Sequence, residues 1–371
     1  MRKWNSLITI GLFCAILFSF TVVDMLNEDR IFSERERRAL AVKPSYSRET
    51  VRNGKYMEQY EKYVTDQFVG RDKWIDIKMM SDLALQKSEL NGVYLCDDGY
   101  LIEKHAVADF PQELIDQKLD LLEPLVKRWN AKVMLVPTAD NILRNRLPAY
   151  AEYFDQSRFL EQVNERVGSE NMIDVYATLL EHRDEEIYYR TDHHWTTRGA
   201  YYGYTSWADA VGVKPIEYDP DQTETVSTNF YGTLYNKVHA PVSPDRIEFF
   251  PGTDDLPVQI TYDFEKKSDS FYEEKYLQGS NQYAFFMDDN HGIVEIRTSQ
   301  KNNKTLFVIK DSYANCYIPL MANHYEKIYV IDLRYMNVPL NKLMEQYNPE
   351  EGMDVLILYN CIHFLEEFNY R

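Results

Sequence analysis

Five short, nearly continuous apolar runs constrain this 371-residue chain more than any other feature. They are Ala131-Lys-Val-Met-Leu-Val-Pro137, Met172-Ile-Asp-Val-Tyr176, Thr305-Leu-Phe-Val-Ile-Lys310, Lys327-Ile-Tyr-Val-Ile331 and Asp354-Val-Leu-Ile-Leu-Tyr359. A strand apolar on successive residues has no face to offer water and must be covered on both sides. Helical patterns at Pro111 to Trp129 and Ser157 to Val167 precede the first two runs. Such alternation predicts an α/β fold, a mostly parallel sheet flanked by helices.

The rest of the chain divides by character. Leu7 to Val23 is an uncharged apolar run of 17 residues, preceded by Arg2 and Lys3 and followed by Asp24. It reaches the lower length limit for a membrane span, about 17 residues, and the flanking charges place its N-terminus in the cytoplasm and the body outside. Phe20 to Val23 offer no small-residue cleavage site, so an uncleaved transmembrane anchor is favoured over a cleaved signal peptide. Phe13 before Cys14 also argues against lipoprotein processing. The expected division is therefore 1–26 as cytoplasmic tip and anchor, 27–90 as a helical stalk or packing segment, and 91–371 as the main domain. Gly92 to Ile102 reads as a hairpin turning at Asp98-Gly99, and about 214–303, rich in Asp, Tyr, Thr and Pro, reads as a β-rich insertion.

Composition narrows the partners. With 59 acidic against 41 basic side chains the formal charge is -18, which repels phosphate backbones and excludes nucleic acid as the natural partner. Cys14, Cys96, Cys316 and Cys361 lack the paired spacing of a zinc site and are too sparse for a disulfide scaffold.

Two segments carry chemistry. In Arg190-Thr-Asp-His-His-Trp-Thr-Thr-Arg-Gly199, a threonine at 196 or 197 is a natural helix cap. In the extended loop before it, Asp192 and His194 share a face while His193 points elsewhere. An acid beside an imidazole is what a general base serving a hydroxyl nucleophile requires. Lys310-Asp-Ser-Tyr-Ala-Asn315 supplies the hydroxyl: Ser312 follows a buried strand, where α/β sheets present ligands, and precedes an apolar helical run, Tyr317 to His324. The backbone N–H groups of Ser312 and Tyr313 are then expected to hold an oxyanion. The Pro137-Thr-Ala-Asp-Asn141 loop ends another strand, so Thr138 and Asn141 join His193, Trp195, Arg198, Lys310 and Asn315 as substrate-binding candidates. Trp195 is as readily a packing anchor. No metal is expected at Asp192, His193 and His194, since adjacent histidines diverge and no further ligand stands at suitable spacing; no cofactor is expected.

Asp192-His-His-Trp195 matches the motif after which DHHW proteins are named, and Lys310 to Asn315 resembles their serine block. Both blocks are similar to those of the acetyltransferase subunits of bacterial alginate acetylation, and the resemblance extends from the anchor, through Phe68-Val-Gly-Arg71 and Gly92 to Ile102, to Tyr359. It implies an SGNH-hydrolase-like fold with Ser312 as nucleophile, His194 as base and Asp192 as its orienting acid. The order Asp, His, Ser departs from that of ordinary SGNH hydrolases and agrees with the alginate-type branch. The short stretch after Tyr359 leaves no room for the carbohydrate-binding domain of some relatives.

The function this implies is O-acetyl transfer through an acyl-serine to a hydroxyl of an extracytoplasmic polysaccharide. A membrane-bound O-acyltransferase would supply the acetyl group. Two alternatives share the sequence features: an acetylesterase using the same triad, and a non-catalytic glycan-binding or scaffold protein presenting some of the 29 tyrosines.

Overall fold

The computed structural model describes residues 2–33, 36, 38–347 and 352–370 and separates into two compact units, Met1–Lys87 and Ser88–Arg371. In the first, Ser6–Leu26 is a helix long and apolar enough to cross a membrane. Leu7, Phe13, Leu17 and Phe18 are all exposed on it, as expected of a helix made to be surrounded by lipid or removed. The unit also holds the helix Lys55–Gln67, along which Tyr56 stacks on Tyr60 and Tyr63 meets Tyr60 at a tilt of 45°.

The second unit is built on a seven-stranded sheet. Its strands are β1 (Lys132–Val136), β2 (Val258–Tyr262), β3 (Lys266–Ser268), β4 (Ile293–Thr298), β5 (Thr305–Lys310), β6 (Lys327–Asp332) and β7 (Met353–Asn360), in the order β3-β2-β4-β6-β5-β7-β1. β6, β5, β7 and β1 are parallel neighbours. β4 runs against β6, β2 against β4 and β3 against β2, so β2 shares the parallel direction. The architecture is the mostly parallel, SGNH-hydrolase-like α/β fold that the apolar runs and the resemblance implied.

Both faces are covered, which explains the continuous runs. Leu306 and Val308 of β5, with Leu356 and Leu358 of β7, pack on one face with the helix Thr197–Val211. Phe307, Ile309, Val355 and Ile357 pack on the other with Gln112–Trp129 and Gln156–Val167. After β5 the chain turns onto the first face (Tyr313, Tyr317), and after β7 onto the second (Ile362, Phe364). Adjacent parallel strands whose connections leave in opposite directions open a crevice at their carboxyl ends, the usual ligand position in such sheets.

Three expectations change. Met172–Tyr176 makes a single parallel bridge, Met172 to Val133, because Asp174 accepts the Tyr176 N–H at 2.8 Å and turns the chain into the helix Tyr176–Glu181. The β-rich stretch 214–303 is two things: Glu224–Phe230 and Asp245–Phe249 form a two-stranded ribbon, while β2, β3 and β4 extend the central sheet. The Tyr317 to His324 run is a short helix, Ile318–Met321, between single 3-10 turns. The 92–102 hairpin forms as expected, from Val93–Leu95 and Leu101–Glu103, with Asp98 and Gly99 left-handed at the turn.

Candidate active site

The Asp192 loop is pinned at both ends. Tyr188 and Trp195 bridge antiparallel, and the buried Asp245 carboxylate accepts the N–H groups of Arg190 (2.9 Å) and Thr191 (2.8 Å) and the Thr191 hydroxyl (2.5 Å). Thr196 then caps the helix Thr197–Val211, its hydroxyl accepting Gly199 N–H at 3.2 Å. Trp195 is fully buried; its indole N–H donates to Tyr313 O at 2.9 Å, tying this loop to the serine loop.

The serine loop is fixed by its own acid. Asp311, fully buried at the end of β5, accepts Tyr313 N–H (2.9 Å), Asn360 N–H (2.9 Å) and His363 Nδ1 (3.0 Å). Burial pushes its carboxyl up, but these bonds and the His363 charge outweigh that and hold it below the usual range. Ser312 therefore starts a single 3-10 turn, Ser312–Ala314, not a long helix. This corrects one expectation: the Tyr313 N–H is already engaged by Asp311 and is not free to hold an oxyanion. The Ser312 N–H makes no hydrogen bond among the described residues.

These loops bring three side chains into line. Ser312 Oγ lies 2.7 Å from His194 Nε2, and His194 Nδ1 lies 2.5 Å from Asp192 Oδ1. Asp192 Oδ2 accepts the Thr233 N–H (2.7 Å) and hydroxyl (3.0 Å). Burial opposes ionisation of Asp192, yet the neighbouring His193 and His194 and its hydrogen bonds hold it well below the carboxylate range. It is thus a permanent anion behind the imidazole. The Tyr283 ring stacks on His194 with centroids 3.8 Å apart and planes 12° apart, and its hydroxyl donates to Ser312 O at 3.2 Å. Ser312, His194 and Asp192 are 3–6% exposed, so a proton moves here with little competition from water. Asp192, His193 and His194 each bring a possible ligand atom within 4.8 Å of the others. Both oxygens of Asp192 and both ring nitrogens of His194 are, however, committed to protein groups, the pattern of a serine-activating relay.

Of the substrate-binding candidates, the structure brings His193 and Thr138 to a cavity of about 410 Å³ beside the triad. The others lie elsewhere. Asn141 is fully buried and bonded through both amide ends to Phe154 O and Gln156 N–H. Lys310 and Asn315 bond to each other at 2.7 Å in a buried network with Asn290 and Asp332. Arg198 pairs with Glu185 and Asp221, and Trp195 is core. Even the Thr138 hydroxyl is taken, donating to Asp140 at 2.6 Å. The sequence alone missed His105, which meets Asp140 at 3.0 Å, and His363, Asn360, Thr233 and Lys237, all on the cavity wall. It also missed Gly232, whose missing side chain leaves room for Asp192.

Ser312, at the carboxyl end of β5, is thus aligned with His194 and Asp192 of a second loop in a mostly parallel α/β fold. The family model described as DHHW protein matches residues 127–331. The chain belongs to the DHHW family. A DHHW family protein from Eubacterium siraeum superposes with a TM-score of 0.60 at 26% identity, over 75% of this chain and 93% of that one. Bacillus cereus PatB1, solved with a sulfonyl adduct, gives 0.58 at 19% identity over 75% and 99%, a likeness of fold. The O-acetyltransferase domain of Pseudomonas putida AlgJ gives 0.45 at 15% identity over 75% and 93%. No curated protein matches the chain.

Proposed function

We propose that this protein transfers an acyl group, acetyl by resemblance, through Ser312 to a hydroxyl of an extracytoplasmic polysaccharide. The observation that carries this reading is the unbroken line Ser312 Oγ, His194 Nε2, His194 Nδ1, Asp192 Oδ1, with steps of 2.7 and 2.5 Å. His194 takes the serine proton as Oγ attacks the acyl carbonyl, and Asp192 stabilises the resulting imidazolium. We assign the oxyanion to the Ser312 N–H, which makes no hydrogen bond among the described residues. The imidazolium then protonates the leaving oxygen, which departs with that proton and leaves acyl-Ser312. An acceptor hydroxyl gives its proton to His194 and takes the acyl group, restoring the serine.

Membership of the DHHW family supports acyl chemistry, and the sulfonyl adduct in the similarly folded PatB1 indicates a group that reacts with electrophiles. The apolar helix Ser6–Leu26 supports an anchored protein with its body outside the cytoplasm, and this location requires donor delivery across the membrane. We assign that delivery to a membrane-bound O-acyltransferase partner.

The test uses the full chain in detergent. Phenylmethylsulfonyl fluoride should modify Ser312, and 4-nitrophenyl acetate should give a burst of nitrophenol that Ser312→Ala abolishes. Adding oligosaccharide should divert acetyl from water to sugar; acetate release indifferent to sugar would make the protein an esterase. A burst that survives in Ser312→Ala would remove the serine from the mechanism.

A further inference from the structure

The motif contains a second imidazole that the relay above does not use. His193 Nδ1 lies 2.7 Å from Thr233 Oγ1, whose hydroxyl donates to Asp192 Oδ2 at 3.0 Å. A hydroxyl that donates to a carboxylate can only accept from its other neighbour, so His193 Nδ1 carries the proton and Nε2 is a bare acceptor. Burial, then the charge of His194, pushes His193 down to about 3, and the ring is neutral at physiological pH. Its Nδ1 also stands 3.7 Å from Asp192 Oδ1, the oxygen that holds His194 Nδ1. The two rings are neighbours, with centroids 3.9 Å apart and planes at 36°.

Both rings keep Nδ1 within 3.7 Å of Asp192 Oδ1, and His194 Nε2 meets Ser312. The neighbouring ring borders the 410 Å³ cavity, a volume within the range of about 300–1,000 Å³ typical of small-molecule sites. We propose that His193 is the acceptor-binding residue of the transfer reaction. In this arrangement its Nε2 accepts a hydrogen bond from the hydroxyl vicinal to the one that His194 deprotonates, so that the site selects a vicinal diol, as sugar rings carry. Acceptor hydroxyls compete with water for the acyl-serine, and a second anchoring point turns that competition in favour of the diol.

The inference rests on the acyl-serine reading, and the test separates the two. The full chain in detergent is acetylated with 4-nitrophenyl acetate in the presence of ethylene glycol or, separately, 2-methoxyethanol, and the ratio of ester formed to acetate released is measured. This ratio describes the fate of one intermediate and is independent of how much of it forms. Ethylene glycol should give the higher ratio in the wild type, and His193→Phe should lower it roughly tenfold for ethylene glycol, the scale of one hydrogen bond, while leaving 2-methoxyethanol within about twofold. His193→Gln, which keeps an acceptor atom, should recover part of the loss. Equal ratios for the two alcohols in the wild type, or an equal fall for both in His193→Phe, would overturn the proposal with acyl-serine chemistry intact. Should His193→Phe fail to fold, the wild-type comparison of the two alcohols still decides. No nitrophenol burst from the wild type would refute the acyl-serine reading itself, and this inference with it.

Discussion

Replacing Gly232 by alanine should disable the site without touching a reacting group. Gly232 sits at φ -85°, ψ -166°, a backbone conformation any residue adopts, so the glycine is not there for a turn. It is there for space: a Cβ would stand 2.2 Å from Asp192 Cβ, 2.4 Å from Oδ2 and 2.7 Å from Cα. Ordinary contact begins near 3.4 Å, so the two segments must separate by about 1 Å. Asp192 cannot yield alone, because Thr233 N–H, the Thr233 hydroxyl and His194 all hold it. The movement therefore passes to the imidazole. A misplacement of ~1 Å is worth about 100-fold in rate, and overpacking of this kind costs about 1–3 kcal/mol of stability. The assay is kcat for 4-nitrophenyl acetate cleavage alongside Tm. Gly203→Ala is the control, because its Cβ would press on the Trp195 ring at 2.9 Å and not on the triad; it should lose stability with a smaller loss of kcat. A kcat for Gly232→Ala within threefold of wild type would refute the claim that this close approach sets the position of Asp192.

Two further outcomes follow from charge. Below pH ~6.5, the ordinary histidine value, the unfolded chain protonates His193 while the folded chain does not until about 3, so this group makes stability fall as pH drops through that window. His363 is the reverse case: burial lowers its proton affinity, but Asp311 outweighs this and raises it, giving stability that is full below ~6.5 and lost as pH rises through the raised value. Tm measured from pH 4 to 8 should show a flatter acid limb in His193→Phe and a flatter alkaline limb in His363→Gln; unchanged limbs would contradict these assignments. The charge of -18, with four carboxylates against two lysines on the cavity wall, predicts that neutral oligosaccharides accept acetyl better than oligogalacturonate at low salt, with the gap narrowing as salt screens the field. Equal rates at low salt would remove charge as a determinant of the acceptor.

The parts legible in the sequence were those in which one short segment determines its own geometry. Continuous burial on both faces marks β1, β5, β6 and β7 wherever the chain places them, and the two-residue spacing of Asp192 and His194 puts both on one side of their loop. Adjacency misled elsewhere. Lys310 and Asn315 flank Ser312 in sequence, yet their side chains meet each other and Asn290 beneath the loop. Asn141 looks available in the string and is consumed by Phe154 and Gln156. The cavity was invisible because its wall comes from segments near 105, 140, 193, 233 and 363. Only the sheet order brings these together, and no local pattern encodes that order.

Two of the structure's carboxylate–imidazole pairs, Asp192–His194 and Asp311–His363, hold the catalytic loops, and their different surroundings assign them different work. His194 Nε2 reaches Ser312 Oγ, whereas the His363 partner, Asp311, spends its remaining bonds on the Tyr313 and Asn360 N–H groups. Asp311 thus ties the end of β5 to the end of β7 and sets where the serine stands. Asp311→Asn keeps one acceptor oxygen but loses the charge, weakening hydrogen bonds worth about 1–3 kcal/mol to a charged group and releasing His363. It should lower Tm and reduce kcat modestly, by about tenfold, through a looser Ser312. Asp192→Asn removes the anion that supports the imidazolium and should cost about 10³–10⁴ in kcat with a smaller change in Tm. If, with both variants folded, Asp311→Asn loses as much kcat as Asp192→Asn, then the serine's own loop supplies the catalytic acid and the division of labour between the two pairs is wrong.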